Sequence, residues 1–184
     1  HRCKSKLYCS ISLLLASMNL KDLLQHFKEE LMHLYDEQEA AAIFELVVKH
    51  VSGFNSRELK LKGISTQAAD EFAYLSMLSE LKSGKPLQYV IGETEFYGFR
   101  FRVDPNVLIP RPETEELVDW IIADCNGNTG LRIVDIGTGS GCIAIVLSKK
   151  IVDSVVTAVD VSAEALNIAT KNAGLNAAVL RLLR

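Results

Sequence analysis

Residues 133–148 read IVDIGTGSGCIAIVLS: an apolar run, three glycines at alternate positions (Gly137, Gly139 and Gly141), and a second apolar run. Glycine lets a chain turn tightly and lets a ligand approach the backbone closely. The amides that open a helix after such a loop offer a site for an anion. The order of elements around the loop follows from the flanking patterns. A strand is expected over 131–136, a helix over about 141–150, a strand over 155–160 and a helix over 163–173. This βαβ unit with a further helix implies an α/β fold with a parallel sheet. Residues 178–182 have the composition to begin a third strand. Val161 and Leu166 flank the Ser162 cap at the spacing of a hydrophobic staple.

Two ligand classes suit a loop of this kind. The dinucleotide fingerprint GxGxxG requires a third glycine where this chain has Cys142. The pattern here is GxGxG, which has no such requirement for a pyrophosphate. The second anchor is Asp160, which ends the next strand. A carboxylate there accepts both hydroxyls of a ribose, in a nicotinamide dinucleotide and in S-adenosylmethionine alike, so it does not discriminate between them. It also fits a helix-capping or strand-end aspartate. Asp135, just before the loop, either braces the loop amides or faces the amino group of a cofactor. Taken with the strand, the helix and Asp160, the GxGxG loop favours S-adenosylmethionine.

Upstream the pattern is helical. Apolar residues at 20, 23, 24, 27, 31 and 34 have helical spacing. Asp36 and Glu39 have the form of a capping box, and Ala40, Phe44, Val47, Val48 and Val51 share one face of the helix that follows. The stretch SGFNS breaks it. A third helix is expected from near Ser65 or Thr66, burying Ala68, Phe72, Leu75 and Leu78 and ending at KSGKP. Residues 19–83 thus form a small bundle, which needs a partner surface to be stable. The pattern then switches to period two: Phe99, Phe101 and Val103 alternate with Arg100 and Arg102, and Tyr97-Gly98 sits at a hairpin turn. Arg100 and Arg102 read as a solvated strand face. Pro112 suits the first turn of another helix, Glu113, Glu115 and Glu116 favour its positive end, and Leu117, Val118, Ile121 and Ile122 form its apolar stripe.

The bulk properties exclude several classes. With 184 residues, 48% hydrophobic and 23% charged, the chain has ordinary globular composition, and a net charge of −3 gives no global basic footprint for nucleic acid. Cys3, Cys9, Cys125 and Cys142 form no CxxC pair, the histidines form no HExxH, and neither a metal site nor a disulfide framework is expected. The apolar stretch near residues 11–16 is too short to span a bilayer. Residues 1–17 read as an extension that is neither targeting signal nor part of the fold.

Three stretches together carry a family resemblance: GKPLQYVIGETEFYGFRFRVDPNVLIPRPETEELVDW, then VDIGTGSGCIAI, then AVDVSAEALNIATKNAGLN. Over roughly residues 18–178 the chain resembles the HemK family, the glutamine N5-methyltransferases that modify peptide-chain release factors. The resemblance implies a small all-α N-terminal bundle, a β-hairpin linker and a Rossmann-like class I methyltransferase domain. The corresponding bounds here are 18–85, 86–110 and 111–184. It implies S-adenosyl-L-methionine as cofactor, held by Gly137, Thr138, Gly139, Ser140, Gly141 and Asp160. It further implies release factors as protein partners, a cytoplasmic setting, and no metal, membrane or direct nucleic-acid partner. The family's Asn-Pro-Pro-Tyr signature does not occur among the four prolines of this chain. The chain therefore reads as the front portion of such an enzyme, without catalytic residues and expected to be inactive alone. The competing readings are a nicotinamide-dependent oxidoreductase, disfavoured by Cys142 and the helical front, an adenine-N6 nucleic-acid methyltransferase, and a protein-binding module without turnover.

Overall fold

Helix α1, Leu20–Leu31, begins where Asn19 accepts hydrogen bonds from the amides of Lys21 and Asp22, and it buries Leu20, Leu23, Phe27 and Leu31 on one face. Helix α2, Glu37–Ser52, is capped by the Asp36 carboxylate, which accepts from the Glu39 amide at 2.8 Å. It ends at Gly53, whose φ of +72° is the left-handed cap that glycine adopts without strain. Its buried face is Ala40, Ile43, Phe44, Val47 and Val48. These details come from the computed structural model, which describes residues 18–54, 68 and 70–184. The extension read over 1–17 and the helix start read near Ser65 or Thr66 lie outside the described residues.

Helix α3, Glu71–Lys82, corrects one expectation. Its buried residues are Tyr74, Met77, Leu78 and Leu81, whereas Phe72 is 82% exposed. Two apolar stripes run side by side along this helix, and the sequence offers both. The one that meets α1 and α2 includes Tyr74, which stacks at 6.3 Å from Phe44; Phe44 in turn meets Phe27 edge-on at 5.0 Å. Each side chain buried in this way contributes about 1.5–3 kcal/mol. A short helix α4, Leu87–Ile91, follows Pro86 and adds Leu87, Val90 and Ile91 to the same core. It has no counterpart in the sequence reading, because five residues are too few to show a period.

The chain divides into two compact units after Ile91. The hairpin falls within the second unit. Strands β1, Glu93–Phe96, and β2, Phe99–Arg102, pair antiparallel around Tyr97 (φ +53°) and Gly98 (φ +75°). Two positive φ values in a two-residue turn match the twist of the strands they join. Phe96 and Phe101 are buried with Val118 of helix α5, Pro112–Asp124, and with Ile145 and Val146 further on. Of the stripe expected on α5, Val118 is fully buried and Leu117 is 45% exposed.

Strand β3, Arg132–Ile136, helix α6, Cys142–Lys150, strand β4, Val155–Val159, helix α7, Ala163–Leu175, and strand β5, Arg181–Leu183, complete the unit. The sheet runs β3-β4-β5, all parallel, with Asp135 beside Ala158 and Ile136 beside Val159. The third strand starts at Arg181, three residues later than the pattern suggested, after a bend in which Ala177 has φ +48°. The staple expected at Val161 does not form: this side chain is 88% exposed. The Asp160 carboxylate accepts the Ser162 amide at 3.0 Å, and the turn this closes points the intervening Val161 outward.

Candidate functional site

The glycine loop joins the carboxyl end of β3 to α6, on the side of a parallel sheet where ligands of such folds sit. All three glycines have positive φ: +76° at Gly137, +54° at Gly139 and +80° at Gly141. Their surroundings differ. A Cβ at Gly137 would meet nothing within 4 Å, and one at Gly139 only the Gly137 carbonyl at 4.0 Å. A Cβ at Gly141 would lie 3.1 Å from the Ala169 Cβ and 3.3 Å from Ile145 Cδ1. The first two glycines thus leave open space over the loop, and the third lets the loop press on α7.

The loop amides are largely satisfied from within. Those of Gly137 and Thr138 both donate to the Val159 carbonyl, at 2.8 and 3.0 Å, and that of Gly141 donates to the Thr138 carbonyl at 2.8 Å. The Gly139 amide donates to Asp160 Oδ2 at 2.9 Å. This contact joins the two sequence-predicted anchors directly. The two aspartates have different partners within the chain. Asp160 braces the loop, while the cap of α7 is Ser162, whose hydroxyl accepts the Ala165 amide. Asp135 accepts from the Thr138 hydroxyl at 2.7 Å and so holds a side chain of the loop, not an amide.

Asp160 is held below the ordinary carboxylate range, chiefly by the Ser162 amide and next by that of Gly139, both of which favour the charged form. Its two oxygens accept from the amides of Ser162, Gly139 and Val161, which leaves part of their acceptor capacity unused. A ribose hydroxyl can donate to what remains. The open space above Gly137 and Gly139 and the remaining acceptor capacity of Asp160 therefore fit an adenosyl group. The fit to a pyrophosphate is poorer, because four loop amides are taken and a carboxylate sits against the loop.

Thr138 and Ser140 are buried in the loop, and Cys142 opens α6 nearly buried, its thiol pushed above its ordinary value mainly by burial. Sequence reasoning missed Asn172 on α7, which is fully buried and donates to the Ser140 carbonyl at 2.9 Å. An asparagine at an apolar-stripe position of a helix is the only signal the sequence carried. Elsewhere in this unit a cleft of about 430 Å³, lined by Ser154, Val155 and Arg181 among others, lies at the amino ends of the strands, away from the loop. Among the described residues no group of His, Cys, Asp or Glu could hold a metal ion, and no helix is long and apolar enough to cross a membrane.

Residues 22–92 match the PrmC N-terminal domain and residues 116–183 match the methyltransferase small domain. A release factor glutamine methyltransferase of Flavobacterium psychrophilum is 43% identical over 168 residues, covering 86% of this chain and 57% of that protein. Proteins of the same name from Streptococcus pneumoniae and Bacteroides thetaiotaomicron are 41% and 40% identical, over 85% and 80% of this chain and 55% and 52% of theirs. The chain thus spans a little over half the length of these curated relatives.

Proposed function

We propose that this chain, which belongs to the family of release factor glutamine methyltransferases, binds S-adenosylmethionine on its glycine loop and serves in the N5-methylation of a glutamine side chain of a peptide-chain release factor. The observation that carries this reading is the Gly139–Asp160 contact at the carboxyl end of a parallel sheet. Gly137, Thr138, Gly139, Ser140 and Gly141 form the surface on which the cofactor lies. Asp160 accepts from the ribose with the acceptor capacity its backbone contacts leave unused. When bound, the sulfonium supplies an electrophilic methyl group.

An amide nitrogen is a poor nucleophile because its lone pair is delocalised, so positioning can account for much of the rate. The part of this chain is to fix one reactant. A loop whose amides are already satisfied by Val159, Thr138 and Asp160 does not reorganise when the ligand arrives. The helical unit is assigned to docking the protein substrate, with residues 18–85 as that domain, 86–110 as the hairpin and 111–184 as the cofactor domain. A release factor places the reaction in the cytoplasm.

The test is incubation of the full-length protein carrying this chain with methyl-labelled S-adenosylmethionine and a release factor, followed by mass spectrometry of the modified peptide. Label on a glutamine side chain is expected. Label on adenine of an added oligonucleotide and none on the release factor would replace this reading with that of a nucleic-acid methyltransferase. Tight binding of a nicotinamide dinucleotide in calorimetry, with none of S-adenosylmethionine, would overturn it altogether.

A further inference from the structure

The edge of β2 that faces away from β1 presents the backbone groups of Arg100 and Arg102, since Val103 pairs toward β1 through the Gly92 carbonyl. A strand edge with unpaired groups is covered in native proteins by some other element. Here α7 covers it with two asparagines one turn apart. Asn172 Oδ1 accepts the Arg102 amide at 2.7 Å, and its Nδ2 donates to the Arg102 carbonyl at 3.0 Å. The side-chain amide thereby makes the pair of bonds that a residue of a neighbouring strand would make. Asn176 Nδ2 donates to the Arg100 carbonyl at 2.8 Å. The second donor site of Asn172 Nδ2 goes to the Ser140 carbonyl in the glycine loop, 2.9 Å away. One fully buried side chain therefore holds the hairpin and the loop at once.

We propose that Asn172 is a positioning residue that couples the β1–β2 hairpin to the cofactor loop, so that the conformation of the hairpin and the affinity for the cofactor are linked. The proposal rests on the reading of the loop as the S-adenosylmethionine site. The coupling follows from the chemistry of the amide. Both its donors and its acceptor oxygen are engaged, and a buried group left unpaired costs more than a typical bond contributes. Displacement of either partner thus strains the other. Leucine at 172 would fill the space and leave the Arg102 amide and two carbonyls without partners. Aspartate would keep the acceptor for the Arg102 amide and lose both donors, cutting the link to the loop.

The experiment compares the full-length protein with its Asn172→Asp and Asn172→Ser variants, by calorimetry with S-adenosylhomocysteine and by hydrogen exchange without ligand. Both variants are expected to raise the dissociation constant about tenfold, the scale of a lost buried hydrogen bond. Exchange is expected to quicken together over 99–103 and 139–142, while 155–159 in β4 stays protected. The neutral serine variant ensures that unfolding by a buried carboxylate does not decide the outcome. Wild-type affinity in the serine variant, loosening of the loop without the hairpin, or equal loss of protection in β4 would each overturn the coupling. Should the unsubstituted protein bind no S-adenosylhomocysteine, the cofactor reading fails, and the ligand-free exchange still decides whether Asn172 links the two segments.

Discussion

The two units are held by different means. In the helical unit the buried positions are almost all apolar: Leu20, Leu23, Phe27, Leu31, Phe44, Val47, Val48 and Leu81 lie within a few per cent of complete burial. At its rim Lys82 meets Glu30 and Lys28 meets Glu37 at 2.9 Å, and such exposed pairs contribute little. In the α/β unit the interior includes Thr138, Ser140 and Asn172: the Thr138 hydroxyl donates to the Asp135 carboxylate, and the Asn172 side chain donates to the Ser140 carbonyl. One face of its sheet stays open, with Val134 58%, Ile136 82% and Leu183 55% exposed. The first unit has one apolar core of its own, tolerant of any residues of suitable volume. The second depends on a few polar ties whose geometry is specific. Nonspecific burial holds the helical unit; directed hydrogen bonds fix the glycine loop.

The comparison is broken most sharply by emptying the first core. Phe27→Ala should destabilise the helical unit by about 3–5 kcal/mol. Hydrogen exchange should show lost protection over 20–52 with 132–159 unchanged; loss in both would show that the units share one cooperative core. The glycines come next. Gly141→Ala meets a φ of +80° and a Cβ contact of 3.1 Å, and should cost about 2–4 kcal/mol in urea unfolding. Gly137→Ala, strained but in open space, should cost about 1–2 kcal/mol. Equal losses would remove the distinction between a glycine kept for packing and one kept for backbone conformation.

Asp160→Ala should weaken cofactor binding by about 1.5–3 kcal/mol in calorimetry, the value of hydrogen bonds to a charged group. The same carboxylate gives a pH dependence of known sign. Its pKa is lowered on folding, so the unfolded chain holds the proton more readily in the window between the two values. Its contribution to the loop is complete above about pH 4 and is lost as pH falls through the folded value. Amide exchange at Gly139, corrected for intrinsic rate, should therefore quicken on acidification in the wild type and not in Asp160→Asn. The smallest effect is chemical. Burial raises the Cys142 thiol, so iodoacetamide should alkylate it more slowly than the half-buried Cys125, as read by peptide mapping. Faster modification of Cys142 would mean that the loop opens readily.

Much of this arrangement is legible in residue order. The periods of α1 and α2, the Asp36 cap, the Tyr97-Gly98 turn and the strand–glycine–helix order are local, because each depends on neighbours within a turn or a pair. So does Pro112 at the start of α5. The family was likewise readable from three stretches of sequence, and the comparisons agree.

Tertiary structure decided the rest. The buried face of α3 depended on which of two apolar stripes met Phe44, and no local rule ranks them. Val161 has the spacing of a staple, yet the Asp160–Ser162 turn directs it outward. That Asp160 reaches the Gly139 amide while Asp135 holds the Thr138 hydroxyl depended on the strand register that set β4 beside β3. Asn172 was invisible for the same reason. Its partners, Arg102 and Ser140, lie 70 and 32 positions away, and a hydrogen bond acts over about 3 Å of space whatever the separation in the chain. Residue order determines the periods, turns and caps that neighbours can enforce; only the packed chain determines which distant polar groups come within reach.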